Sequence, residues 1–171
     1  MKKNNFNIYV LAIFLLLSMQ SFAQKSGHLN FGNLVAMLPQ TKAAESELQS
    51  YQKNLVQQGE AMAARFQEDY SSFVKEVQSG NLSPAQQKER QEYLEKEQQE
   101  IVAYEQEIVQ LVDQKRQQLL APILERAEKA INEVAVENGY EAVFDTSTFN
   151  AILYTMDSDD LMQQVKRKLG I

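Results

Sequence analysis

His28 is the only histidine in a chain that has no cysteine, so it is the first residue to test for chemistry. A catalytic imidazole needs an orienting partner and a nucleophile or water beside it. Gly27, Leu29 and Asn30 supply neither, and His28 reads as a structural residue at a strand start. The glycines of "GHLNFG", Gly27 and Gly32, stand at P-loop spacing. Asn33 and Leu34 then occupy the places where a nucleotide site needs Lys and Ser or Thr. Asp157, Asp159 and Asp160 cluster as calcium ligands would, but the glycine and distal glutamate of a calcium loop are missing. Capping at the N-terminus of a following helix accounts for them, with Asp157 or Ser158 as the cap. Asn81-Leu82-Ser83 fits a glycosylation acceptor, yet turn formation explains it better. No acid/base pair, nucleophile or metal set emerges. The expectation is therefore a protein that is not an enzyme, with no catalytic, cofactor or metal residues.

The elements that would position any site begin after a leader. Lys2 and Lys3 precede an apolar run from Ile8 to Leu17, and Ser21-Phe22-Ala23 places small residues where cleavage needs them. This is the layout of a secretory signal peptide, residues 1–23, cut between Ala23 and Gln24. The run is too short to span a bilayer, which takes roughly 20 apolar residues. The expected product is exported and soluble. Loss of Lys2 and Lys3 leaves 15 basic against 23 acidic side chains. An acidic chain is a poor partner for nucleic acid, whose phosphates draw basic residues.

Beyond the leader, "HLNFGNLVAML" reads as a short strand, His28 to Phe31, and a short apolar helix stopped by Pro39. From Gln40 to about Ser79, apolar residues recur mostly three or four apart: Ala44, Leu48, Tyr51, Leu55, Met62, Phe66, Tyr70, Phe73 and Val77. That spacing draws a narrow seam on a helix, suited to a coiled coil. Gly80 can end the helix in the left-handed conformation. Ser83 and Pro84 supply an N-cap and a first-turn proline for a second helix. Leu94, Ile101, Tyr104, Ile108, Leu111 and Leu119 continue the stripe. Each arm holds about 40 residues, roughly 60 Å at the helical rise. Two arms around a tight turn predict an antiparallel helical hairpin over 40–121.

Pro122 is expected to bend the second helix. After it, Ile123, Leu124, Ala127, Ala130, Ile131 and Val134 widen the apolar face, as where a rod enters a packed body. Gly139 should end the helix. Strands are expected at Ala142–Phe144 and Ala151–Tyr154, then a last helix with Leu161, Val165 and Leu169 on one face. Residues 24–39 and 122–171 thus form a small β-containing body. Phe31, Val143, Phe144, Ile152 and Tyr154 want a larger core than one chain provides, because two or three short strands bury little and leave open edges. Self-association is expected. On the arms, Phe66, Tyr70, Phe73, Val77 and Tyr93 can pack the seam, face a bound partner, or do both.

Taken together, "GHLNFGNLVAMLPQTKAAESEL", "ILERAEKAINEVAVENGYEAVFDTSTFNAILYT" and "DSDDLMQQVKRKLG" resemble the Skp/OmpH family of periplasmic chaperones over the whole exported chain. The resemblance implies a mostly α fold with a small β body. It implies a homotrimer whose strands form a short-stranded β-barrel, with helical tentacles around a cavity. It also implies ATP-independent holding of unfolded outer-membrane β-barrel proteins, with client contacts on the arm residues just named. The acidic charge departs from the strongly basic members, so lipopolysaccharide or membrane contact is not expected. The alternative reading is a structural or adaptor coiled coil of the cell envelope that docks on a fixed partner.

Overall fold

The computed structural model describes residues 25–148, 154 and 158–171. The expectations for Ala23, Gln24, Ile152 and Asp157, and for most of the strand Ala151–Tyr154, lie outside the described residues. In chain order the elements are β1 (Ser26–Leu29), α1 (Phe31–Met37), α2 (Pro39–Gln78), α3 (Pro84–Asn138), β2 (Ala142–Asp145), β3 (Ser158–Asp160) and α4 (Met162–Leu169). Two compact units divide the chain: Gly32–Lys129, and a unit joining the N-terminal stretch through Phe31 to Ala130–Ile171.

In Gly32–Lys129, α2 and α3 form the hairpin. Lys115 Nζ meets Glu47 at 2.6 Å, and Tyr104 donates its hydroxyl to Gln58 at 2.9 Å. Arg65 lies 3.5 Å from Glu97. Each step forward in sequence along α2 is matched by an equal step backward along α3, as in an antiparallel pair. The turn has the chemistry expected of it. Gly80, at φ 71°, lets its own N–H reach the Val77 carbonyl and the Asn81 N–H reach that of Glu76. That Schellman closure uses carbonyls the helix end would otherwise leave unpaired. Ser83 and Gln86 then form a reciprocal cap, Ser83 N–H donating to Gln86 Oε1 and Gln86 N–H to Ser83 Oγ. The helix is unbroken across Pro122. The one donor lost there would have served the Gln118 carbonyl, and Gln118 is exposed to water.

The other unit centres on β1, with sheet order β2-β1-β3 and both pairings parallel. Ser26 is in register with Ala142 on one side and Ser158 on the other. The ladders continue past the strands: Glu141 donates to Lys25, Thr146 to Leu29 and Leu161 to His28. Its core is Leu29, Ala130, Val134, Leu161, Val165 and Leu169. Leu161, Val165 and Leu169 do share one buried face, as the spacing predicts.

Among the described residues the chain by itself contributes an open three-stranded sheet, since three short strands cannot curl far enough to meet. Two expectations are corrected. Ser158 lies in the strand Ser158–Asp160, an edge among the described residues, rather than capping a helix, and the acidic side chains suit an exposed edge. Helix α4 begins at Met162, whose N–H donates to Asp160 Oδ1 at 2.8 Å. The first strand is Ser26–Leu29 rather than His28–Phe31, and Phe31 opens α1 with its N–H held by Asp145 Oδ1 at 3.0 Å.

Candidate functional site

The surface of the hairpin changes in character along the arms. The buried residues of α2, Thr41, Ala44 and Leu55, all lie in its first half. Farther out, Phe66 and Phe73 are half-buried, and Tyr70 and Val77 are exposed. The Phe66 and Tyr70 rings stack at 6.2 Å with 26° between planes. Across the seam, Tyr93 is exposed while Leu94 is buried. The outer arms therefore leave much of their aromatic surface uncovered.

Polar groups occupy the seam at the same level. Glu97 is only 7% exposed. Its Oε1 accepts the Tyr93 hydroxyl at 2.7 Å and faces Arg65 Nε at 3.5 Å, while Oε2 has no partner. The Tyr93 phenol is pushed above its usual value, first by this hydrogen bond to the Glu97 carboxylate. Burial and the charges of Glu97 and Asp69 add to the shift, and Arg65 opposes them. One layer outward, Ser72 donates to Glu76, and Arg90 approaches Glu76 at 3.9 Å with its Nε buried and unpaired. A seam held by charges and half-covered rings packs less firmly than an aliphatic one.

The seam stripe misses a second surface. Val102 and Val109 are 50% and 70% exposed on α3 outside the buried seam, Val109 bordering a groove that Gln52 of α2 also lines. They sit seven residues apart, off the 3/4 stripe, so reading for the seam passes over them. The signal was present as two β-branched residues among glutamines.

The sheet unit holds the residues expected to join copies. Val143 and Phe144 stand on β2, Val143 half-buried and Phe144 exposed. Tyr154 is exposed and outside any strand, and Phe31 is half-buried at the α1 start. Nearby polar residues are absorbed by structure. His28 Nδ1 and Ser158 Oγ are 2.9 Å apart. Tyr140 donates to Asp159 at 2.7 Å, and Lys25 lies 4.0 Å over the Tyr140 ring.

A family model described as Outer membrane protein (OmpH-like) matches residues 25–169, nearly the whole described span. The chain belongs to the OmpH-like family. This is a chaperone family of the periplasm, associated with outer-membrane proteins. No curated protein matches the chain. Membership fits an OmpH-like protein whose two long helices leave apolar surface uncovered. Among the described residues no helix is long and apolar enough to cross a membrane.

Proposed function

We propose that this OmpH-like chain is an ATP-independent periplasmic holdase. It binds unfolded outer-membrane β-barrel proteins between the helical hairpins of a homotrimer and prevents their aggregation. The family match over 25–169 carries the reading, and the uncovered side chains of the outer hairpin support it. In this reading residues 1–23 export the chain, 24–39 and 122–171 join the copies, and 40–121 are the arms.

An unfolded membrane protein presents alternating apolar side chains that otherwise self-associate. Covering about 800 Å² of them is worth roughly 20 kcal/mol gross. Association and ordering cost about 4–15 kcal/mol of that. The remainder is tight yet reversible, and insertion of the client into a membrane draws it off by mass action. Tyr70, Val77 and Tyr93, with the half-buried rings of Phe66 and Phe73, present such contacts without fixed geometry. At the other unit, β2 has a neighbour on one side only among the described residues, and Val143 and Phe144 lie on it. Pairing with further copies would cover both.

A light-scattering assay tests the reading. The purified protein should suppress aggregation of a urea-diluted outer-membrane barrel protein, without nucleotide, at near-stoichiometric trimer. Absence of suppression would refute holding.

A further inference from the structure

We propose that the exposed face of α3 from Glu95 to Val109 is a docking strip for cationic, apolar segments of unfolded chains. The inference rests on the holdase reading and names which segments this OmpH-like chain prefers. A helical hairpin's exposed face needs only polar residues, and valine there lowers helix propensity relative to alanine. Val102 and Val109 nevertheless occupy it, 50% and 70% exposed. Seven residues apart, they lie on one line about 10 Å long. Glu95, Gln98, Gln99, Ala103 and Gln106 line a shallow groove around Val102.

Charge selects the occupant. From Glu97 to Gln114 the sequence contains no lysine or arginine, while it contains Glu97, Glu100, Glu105, Glu107 and Asp113. Glu97 faces the seam, Glu100 pairs with Lys96, and Asp113 pairs with Arg116. Glu105 and Glu107 make no ion pair among the described residues. Glu105 projects beside the valine line, one turn from Val102 and one turn from Val109, and Glu95 stands two turns before Val102 with only the amide of Gln91 as a partner. An exposed valine pair flanked by un-neutralised carboxylates complements lysine or arginine interspersed with apolar side chains. The stems of those cations can lie on the valines while their heads reach the carboxylates. An acidic segment would meet like charge at the same place, which is repulsive.

The test uses the purified protein and three fluorescein-labelled, proline-interrupted 20-residue peptides. They carry leucines in identical places, with lysine, glutamine or glutamate between them. Anisotropy titrations should show the lysine peptide binding at least tenfold tighter than the glutamine peptide, with the gap closing as salt rises. The double variant Glu95→Gln/Glu105→Gln should shrink that gap several-fold. Val102→Ser/Val109→Ser should weaken the lysine and glutamine peptides alike by about tenfold. Circular dichroism of each variant checks that the helices remain. Equal affinity for the lysine and glutamate peptides, an unchanged preference in the glutamate double variant, or unchanged affinities in the valine double variant overturns the strip. The same preparation is run in the light-scattering assay. Suppression of aggregation without a lysine preference overturns the strip and leaves the holdase reading standing, whereas failure in both assays removes both.

Discussion

Asp145, the last residue of β2, accepts the backbone N–H of Phe31 at 3.0 Å, although 114 residues separate them in sequence. The same carboxylate takes the N–H and hydroxyl of Ser147 at 2.8 and 2.6 Å. One side chain thereby closes the β2 turn and caps the first amide of α1. Burial alone would raise the Asp145 carboxyl, but the Ser147 and Phe31 hydrogen bonds outweigh it and hold it below the usual carboxylate value.

The sign of the pH effect follows. A carboxyl lowered by folding adds stability that is complete above its unfolded value, about 3.9. That stability is lost as pH falls through the folded value. Asp145→Asn keeps the shape and removes the charge, and should cost about 0.5–2 kcal/mol near neutral pH, as for loss of a helix cap. Urea melts at pH 7 and pH 3 check this: the gap between parent and variant should narrow at the lower pH.

Gly27 is required by close approach. A Cβ built there would lie 2.7 Å from Leu161 Cδ1 and 2.9 Å from its Cγ, and Leu161 is fully buried. Gly27→Ala should destabilise by about 1–3 kcal/mol through overpacking. Leu161→Ala should cost about 2–5 kcal/mol by leaving a cavity. The double variant should lose less than both together, since the new methyl enters that cavity. Denaturant midpoints of the four proteins measure the coupling.

At Gly59 the opposite holds. A Cβ would sit 3.6 Å from the Tyr104 ring, ordinary contact distance, in the interior of α2. Gly59→Ala should therefore stabilise the hairpin by about 0.5–1 kcal/mol. A glycine in the interior of a long helix is also a point of flexibility. If flexibility there serves large clients, the variant should melt higher yet hold large barrel proteins less well than small ones.

The legibility of this fold tracks where side chains, rather than backbone, decide structure. Gly80, Ser83 and Pro84 announce the turn because each has a conformational preference of its own. Leu161, Val165 and Leu169 announce α4 by spacing. Ser158–Asp160 gives no such sign: its pairing with β1 is made by backbone groups, and a Ser-Asp-Asp run carries no alternation. Within the arms, Glu97 stands three residues after Leu94, where the stripe calls for an apolar residue. That gap marks the buried carboxylate, but only the structure shows Arg65 and Tyr93 turning toward it.

Glu97 yields a prediction of its own. Its Oε2 is buried without a partner, while Arg65 is largely exposed and would remain hydrated if the carboxylate were removed. Replacing an incompletely satisfied buried charge by a hydrocarbon of similar size is often neutral or stabilising. Glu97→Leu should raise the melting temperature, by about 1 kcal/mol or more of stability, and slow amide exchange between Leu94 and Tyr104. A large loss of stability would instead show that the carboxylate is essential to the seam.

The proposed separation of arm from body can be tested by shortening the hairpin in register. Gln58 lies opposite Tyr104, so replacing residues 59–103 by a short Gly-Ser turn removes matched lengths of both helices. The proximal seam keeps Leu55 and Val112 and the Glu47–Lys115 pair. The shortened protein loses Phe66, Tyr70, Phe73, Val77, Tyr93 and Val102 at once. If holding resides on the outer arms and self-association on the sheet unit, sedimentation should give the same oligomer as the parent while suppression of aggregation disappears. In the full-length chain, Phe144→Asp should do the reverse to the oligomer, because an unpaired charge cannot be buried cheaply in a contact between copies. Were the shortened protein to fall apart into monomers, the arms themselves would be holding the copies together and the division of labour would be wrong.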